Sequence, residues 1–186
     1  MKIEFTKTVQ LVNNQKVSFR YPSINDVNTL RTFINKLSKE DTFIIMSGEI
    51  ISVREESAYL KKNLKKIAQG DMVILICESA GRIIGSASVE RNTQKRKRAR
   101  HVGSFGISLL PEFRGQGLGK RLMEEALTEA KKRIVGLKMV TLDVFAPNST
   151  AIDLYRKIGF QEVGGIPQGI LFHGQYVDLI IMWKAV

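Results

Sequence analysis

Residues 104–134, SFGISLLPEFRGQGLGKRLMEEALTEAKKRI, run from an apolar strand through a glycine-punctuated turn directly into an amphipathic helix. The helix is marked by Leu118, Leu122, Met123, Ala126, Leu127, Ala130 and Ile134, which form one apolar stripe with charged residues opposite. Such a stripe calls for a sheet to pack against. Arg114, Gly117 and Gly119 are spaced so that a turn free of bulky side chains exposes several backbone N–H groups, and the helix N-terminus adds partial positive charge. That combination suits an anionic diphosphate. The turn is not a Walker loop, because Lys120 is followed by Arg121 and no hydroxyl stands ready for magnesium. The alternating Gly115, Gly117 and Gly119 also fit the dinucleotide fingerprint poorly. Taken alone, the turn also reads as a tight bend with no ligand.

Upstream, KVSFRY at residues 16–21 alternates as a first strand. A helix follows, with Ser23 and Asp26 at its start and Val27, Leu30, Ile34 and Leu37 on its buried side. The apolar, glycine-broken segment 43–52, FIIMSGEIIS, reads as a mobile loop on the substrate side. A second helix is predicted over 53–68, with Gly70 as its stop. Three strands then come without intervening helices: MVILICE, RIIGSASVE and HVGSFGISLLP. This order implies an antiparallel meander.

Past the central helix, KMVTLDVFA is a strand whose helical crossover permits parallel pairing. Pro147 ends it, Asn148 or Ser149 caps a short helix carrying Ile152, Leu154, Tyr155 and Ile158, and Gly159 closes that helix. Phe160–Val163 and Tyr176–Trp183 are the last strands, joined by a glycine-rich connection containing Pro167. The expected architecture is mixed α+β in one domain over 1–186. Its sheet is mostly antiparallel and twisted, with about six to seven strands and about four flanking helices.

With 186 residues and 44% apolar content, a full core is available. No apolar run reaches a membrane span and the first residues lack a secretory apolar region, so a cytoplasmic location is expected. The single Cys77, inside MVILIC, reads as a core residue. His101 and His173 have no third ligand at useful spacing, which argues against zinc. The net charge of +11 favours anionic partners: a phosphorylated cofactor, a ribosome or bulk nucleic acid. Part of that charge lies in QKRKRAR, residues 94–100, read as a solvated hairpin tip with RNA or acidic protein as the alternative.

Arg114-x-x-Gly117-x-Gly119 after a strand, followed some thirty residues later by APNSTAIDLYRKIGF, resembles the GCN5-related N-acetyltransferase (GNAT) superfamily. HGQYVDLIIM near the C-terminus is similar to the terminal strand of a bacterial branch that includes spermidine, phosphinothricin and amino-acid-type acetyltransferases. The resemblance implies acetyl-CoA as cosubstrate and no metal. Its pyrophosphate would lie on Arg114, Gly115, Gln116, Gly117, Leu118, Gly119 and Lys120. Its pantetheine arm would bond like an extra strand along Ile107, Ser108 and Leu109, in a gap between two splayed parallel strands. Asn148 matches the asparagine that contacts this arm, with a helix cap as its other reading, and Lys157 would assist at the phosphate end or be a solvated helix residue.

Tyr155 matches the tyrosine that protonates the leaving thiolate, while a core tyrosine is the plainer reading. Asp143 stands where ribosomal-protein-alanine N-acetyltransferases carry a glutamate resembling a general base. One methylene shorter, it reads as a base acting through water, as a substrate-orienting group, or as an exposed strand carboxylate with neither task. Glu55, Glu56, Glu90 and Asp178 are further carboxylates for a cationic substrate, with no motif behind them. The implied reaction is direct acetyl transfer to a primary amine on a small molecule, an amino acid, or a protein N-terminus or lysine. A noncatalytic CoA-binding or ribosome-docking module is the alternative. Dimers are frequent in the resembling family, so a homodimer is part of the expectation.

Overall fold

The computed structural model describes residues 5–10, 15–93 and 96–186. Strands β1 (Thr6–Gln10) and β2 (Lys16–Arg20) lead into helices α1 (Val27–Glu40) and α2 (Val53–Ala68). The meander β3 (Met72–Ser79), β4 (Arg82–Arg91) and β5 (Val102–Leu109) follows, and then helix α3 (Leu118–Arg133) and strand β6 (Met139–Phe145). Helix α4 (Ser149–Ile158) precedes the hairpin of β7 (Gln161–Phe172) and β8 (Gln175–Ala185). One sheet carries the strands in the order β1-β2-β3-β4-β5-β6-β8-β7, and β5–β6 is its parallel pair.

The helices start where local chemistry starts them. At α2 the Glu55 N–H donates to Ser52 Oγ at 3.2 Å and the Ser52 N–H donates to Glu55 Oε2 at 2.9 Å, a reciprocal cap. Before α1, a single 3-10 turn at Ile24–Asp26 is set by the Ser23 N–H donating to Asp26 Oδ2 at 2.6 Å. The stripe of α3 is buried as its pattern requires: Leu118, Leu122, Met123, Ala126, Ala130 and Ile134 are fully enclosed against the sheet. Each Leu or Met there contributes about 1.5–3 kcal/mol by leaving water.

Among the described residues the sheet has eight strands, one more than the pattern suggested, because β1 pairs with β2 at the edge. Its residues are mostly exposed, so it lacks the apolar alternation that marks a strand in sequence. The other difference is β7, which runs through the glycine-rich segment instead of stopping at Val163. Its ladder to β8 shifts register between Glu162 and Gly164 and again between Ile166 and Ile170. As an edge strand with bulges, it tolerates Pro167 and its glycines where a central strand would not.

In the basic run, Gln94 and Lys95 lie outside the described residues. Arg96–Ala99 form a 3-10 turn, and Arg100 reaches Asp71 at 3.3 Å. Cys77 is fully buried, and burial, with a smaller push from Glu78, raises its thiol pKa to about 12.

Candidate active site

The site begins with two strands that part company. β4 and β5 stay paired from Arg91↔Gly103 out to Gly85↔Leu109, and β6 and β8 stay paired out to Phe145↔Leu179. β5 and β6, between them, pair only at Val102↔Met139, Gly103↔Val140 and Ser104↔Thr141. Beyond Ser104 the two diverge, and the peptide groups of β5 that face β6 have no strand beside them.

The closed end of this wedge is tied down by Arg91, whose side chain is 5% exposed. Its Nε donates to Asp71 Oδ1 at 2.7 Å and its Nη2 to the Val135 carbonyl at 2.9 Å, while Nη1 donates to the Arg100 carbonyl. Nothing in the sequence distinguished Arg91 from the other basic residues around it.

At the open end lies a cavity of about 590 Å³, within the usual range of small-ligand sites. Ile107 and Ser108 of β5, Asp143 of β6, and Asn148 and Tyr155 of the α4 region all line it. The strands and helix therefore bring together five of the residues singled out in sequence. Leu109 packs elsewhere: its side chain fills the space beside Gly119, where an added Cβ would meet Leu109 Cδ1 at 3.3 Å.

Tyr155 is held on α4 with its ring tilted against Phe160, centroids 5.9 Å apart, and is 9% exposed. Its hydroxyl bonds to no group among the described residues. Burial raises its pKa to about 12, so the phenol keeps its proton throughout the physiological range. Asp143 is exposed on β6, facing the cleft. Asn148 does cap α4, its Oδ1 accepting from the Ala151 N–H at 3.2 Å. That bond uses only the carboxamide oxygen of a side chain that also borders the cleft.

The glycine turn adjoins the same strand. Gly115 and Gly117 have φ of +73° and +76°, and nothing lies within 4 Å of a Cβ added at either. Gly117 is the N-cap of α3, so the N–H groups of Leu118, Gly119 and Lys120 have no acceptor one turn back within the helix. Together they form a concave set of donors suited to an anion. Gln116 Nε2 closes the turn onto the Glu112 carbonyl at 2.9 Å. Lys120 pairs loosely with Glu124 at 3.8 Å, and Lys157 is exposed on α4 away from the cleft lining.

The Arg114 side chain has a task that its sequence position does not reveal. Nε and Nη2 both donate to the Leu109 carbonyl, at 3.0 and 2.8 Å, and Nη2 also reaches Glu40 Oε2 at 2.8 Å. Arg114 thus joins the turn to the end of β5 and to the last residue of α1.

Of the four further carboxylates, three are occupied elsewhere. Glu55 belongs to the α2 cap, whose bonds from Ser52 hold its carboxyl below the usual range. Glu90 pairs with Lys66 at 2.5 Å, and Asp178 accepts from the Gln168 N–H at 2.8 Å. Glu56 is different. It is 6% exposed, lines the cleft, and its carboxyl group has no hydrogen bond or ion pair among the described residues. Burial raises its pKa. A sequence signal for it existed: Glu56 stands four residues before Leu60 and eleven before Ile67, on the buried face of α2.

The loop at 42–52 forms the remaining wall, with Phe43, Ile44, Ile45 and Met46 on the cleft. Its start is anchored. The Phe43 ring lies 4.9 Å from that of Phe172 and 6.1 Å from that of Phe145, and His173 Nε2 bonds the Asp41 carbonyl at 2.7 Å. Among the described residues, no three His, Cys, Asp or Glu side chains gather as metal ligands, and no helix is long and apolar enough to cross a membrane.

Residues 37–160, which hold the split parallel pair, the glycine turn at a helix N-terminus and the tyrosine on the cleft, match the family model for the Acetyltransferase (GNAT) family. The chain belongs to that family. An L-amino acid N-acetyltransferase, AaaT, of Escherichia coli is 31% identical over 105 residues, covering 56% of this chain and 63% of that protein. The chain spans about half the length of the curated relatives it matches. An acetyltransferase of the GNAT family from Streptococcus pneumoniae superposes with a TM-score of 0.82 at 27% identity, covering 91% of this chain and 99% of that one. The Salmonella typhimurium protein yncA, solved with its cofactor acetyl-CoA, superposes at a TM-score of 0.77 and 19% identity, over 91% of this chain and 93% of that one. At that identity the likeness concerns the fold.

Proposed function

We propose that this protein is an acetyl-CoA-dependent N-acetyltransferase that moves an acetyl group directly to a primary amine. The observation that carries this reading is the single wedge between β5 and β6, which has a donor-lined turn beside its β5 wall and a protonated, unpartnered tyrosine on its other side.

The residues present fit the cosubstrate. Positive φ at Gly115 and Gly117, with open space where side chains would stand, leaves the turn's backbone accessible to a pyrophosphate. The peptide groups of β5 beyond Ser104 offer an extended arm what a neighbouring strand would offer. The Leu109 carbonyl is already taken by Arg114, so that role falls to Ile107 and its neighbours.

Acetyl-CoA, when bound, supplies a thioester carbonyl at which the amine nitrogen forms a C–N bond as the C–S bond breaks, giving amide and thiol. The protein's part is proton management and positioning. The amine enters as an ammonium and must lose a proton to a carboxylate or to water; Asp143 and Glu56 are the carboxylates on the cleft. Tyr155 donates to the departing sulfur and is reprotonated by the proton released from nitrogen.

A melting scan with acetyl-CoA, followed by thiol release with a panel of primary amines, tests the reading. Stabilisation with turnover supports it. Binding without turnover of any amine leaves a noncatalytic CoA-binding module, and stabilisation by RNA alone overturns the reading.

A further inference from the structure

The chain carries 29 Lys and Arg against 18 Asp and Glu, yet its surface charge stops at the cleft. Among the described residues the cleft lining holds two acidic side chains, Glu56 and Asp143, and no Lys, Arg or His. The other polar groups are neutral, namely serine hydroxyls on the β4–β5 floor, the Asn148 carboxamide and the phenols of Tyr59 and Tyr155, and the remaining lining is apolar or aromatic, much of it from α1 and the 43–46 loop. Ile45, at the mouth, is 90% exposed, so apolar surface continues outward from the pocket.

A buried carboxylate without a partner is costly to keep, and such groups persist where a cation arrives to pair with them. Glu56 is in that condition. A free amino acid would bring its own carboxylate within two bonds of the ammonium nitrogen. Here that carboxylate would meet Glu56 and Asp143 with no cation to receive it, and like charges in a partly desolvated cleft repel. A polyamine would bring several ammonium groups, and the apolar walls would strip them of water without replacing it.

Resting on the acetyltransferase reading above, we propose that Glu56 is the carboxylate that receives the acceptor's ammonium group. The acceptor is a primary amine on an apolar body with no free carboxylate beside it. A small apolar amine and the amino group of a peptide chain share that chemistry; a free amino acid and a polyamine do not. Within the reaction, Glu56 accepts one proton from the ammonium, the freed nitrogen lone pair makes the new C–N bond as the C–S bond breaks and the sulfur departs with the proton from Tyr155, and the second proton of that nitrogen returns to Tyr155 to leave the neutral amide.

The test compares L-leucinamide with L-leucine, together with phenethylamine, a C-terminally amidated peptide beginning with leucine, and spermidine, all with acetyl-CoA. Compared per unprotonated amine, because the carboxylate of L-leucine also raises its ammonium pKa, L-leucinamide is expected to exceed L-leucine in kcat/KM by at least about 10-fold. The phenethylamine and peptide arms decide which source of the amine is preferred. Glu56→Gln should lower kcat/KM for L-leucinamide by at least about 30-fold while the KM for acetyl-CoA holds, and Glu56→Asp should restore part of it. An equilibrium readout accompanies these: with CoA present, L-leucinamide raises the melting temperature of the wild type but not of Glu56→Gln.

Equal or better turnover of L-leucine, preference for spermidine, or an unaffected Glu56→Gln enzyme overturns the assignment while the transferase reading stands. If no amine releases thiol and acetyl-CoA leaves melting unchanged, both fall.

Discussion

Replacing Tyr155 by Phe isolates the proposed proton donor from everything else the residue does. The ring stays, with its packing against Phe160, and only the hydroxyl is lost. That hydroxyl bonds no group among the described residues, so its removal breaks no native contact and should leave stability within about 0.5 kcal/mol. The catalytic effect depends on how well the phenol matches the sulfur. Against an ordinary thiol, with a pKa of about 8.5, a phenol near 12 would give up its proton uphill by about 5 kcal/mol. Burial changes that comparison. Desolvation disfavours a departing thiolate as it disfavours the phenolate, so the proton affinity of the sulfur rises along with that of Tyr155 and the gap between them narrows. A matched donor is worth about 10²–10⁴ in rate, or roughly 2.7–5.4 kcal/mol. Thiol release under saturating acetyl-CoA should therefore show kcat falling by at least about 10², with the KM for acetyl-CoA within about threefold of wild type. The wild-type pH profile should show no basic limb from this residue below about pH 11. A Tyr155→Phe enzyme with kcat within about threefold of wild type refutes the role.

Other outcomes follow from the same geometry. Gly117→Ala places a Cβ where φ is +76° and nothing crowds it, so its stability cost should be the backbone term alone, about 1–2 kcal/mol by urea titration. A midpoint unchanged from wild type would contradict that. Arg91→Ala strands the Val135 and Arg100 carbonyls and leaves Asp71 with only the exposed Arg100, which should cost about 3 kcal/mol. A loss below about 1 kcal/mol would show that the corner is held by something else. Glu56, whose pKa is raised on folding by burial, gives up its proton more readily in the unfolded chain, so its ionisation favours unfolding as pH rises past about 4. Glu56→Gln should therefore melt above the wild type at pH 7, with the gap closing toward pH 4, and an equal or lower melting temperature at pH 7 argues against an unpaired carboxylate there.

How far the fold could be read in advance depended on which forces shape each element. Helix α2 came out at its predicted limits because its apolar spacing and Gly70 are local signals, and the Ser52–Glu55 cap, which was not read in advance, starts it at the same place. The burial of α3 followed from a period that only a helix satisfies. Strand β1 carried no comparable mark, since an exposed edge strand needs backbone partners more than apolar side chains. β7 was hidden by glycines and Pro167, which punctuate a central strand but only bend an edge one. In the site, Tyr155, Asp143 and Asn148 were recognisable from the motif, and the cleft does bring them together. Glu40 as the partner of Arg114 was not, because the two are 74 residues apart and meet only through the packing of α1 beside the turn. Glu56 stood in between: an acidic residue in a first helical turn is ordinarily a solvated complement to the helix dipole, and only its place beneath Leu60 marks it as inward-facing.

The early end of the β5–β6 ladder means that this protein keeps an edge strand in the middle of its sheet. Edges ordinarily invite a stranger's strand and the aggregation that follows, and chains blunt them with charge, proline or cover. Here the shape of the gap gives the protection. The wedge narrows to ordinary strand spacing at Ser104 and Thr141, where Arg91 secures the adjoining corner, so a full-length strand from another molecule cannot be seated along it. A short extended chain that enters from the open end can be. The missing rungs thus act as a filter on ligand shape as well as a place to bind.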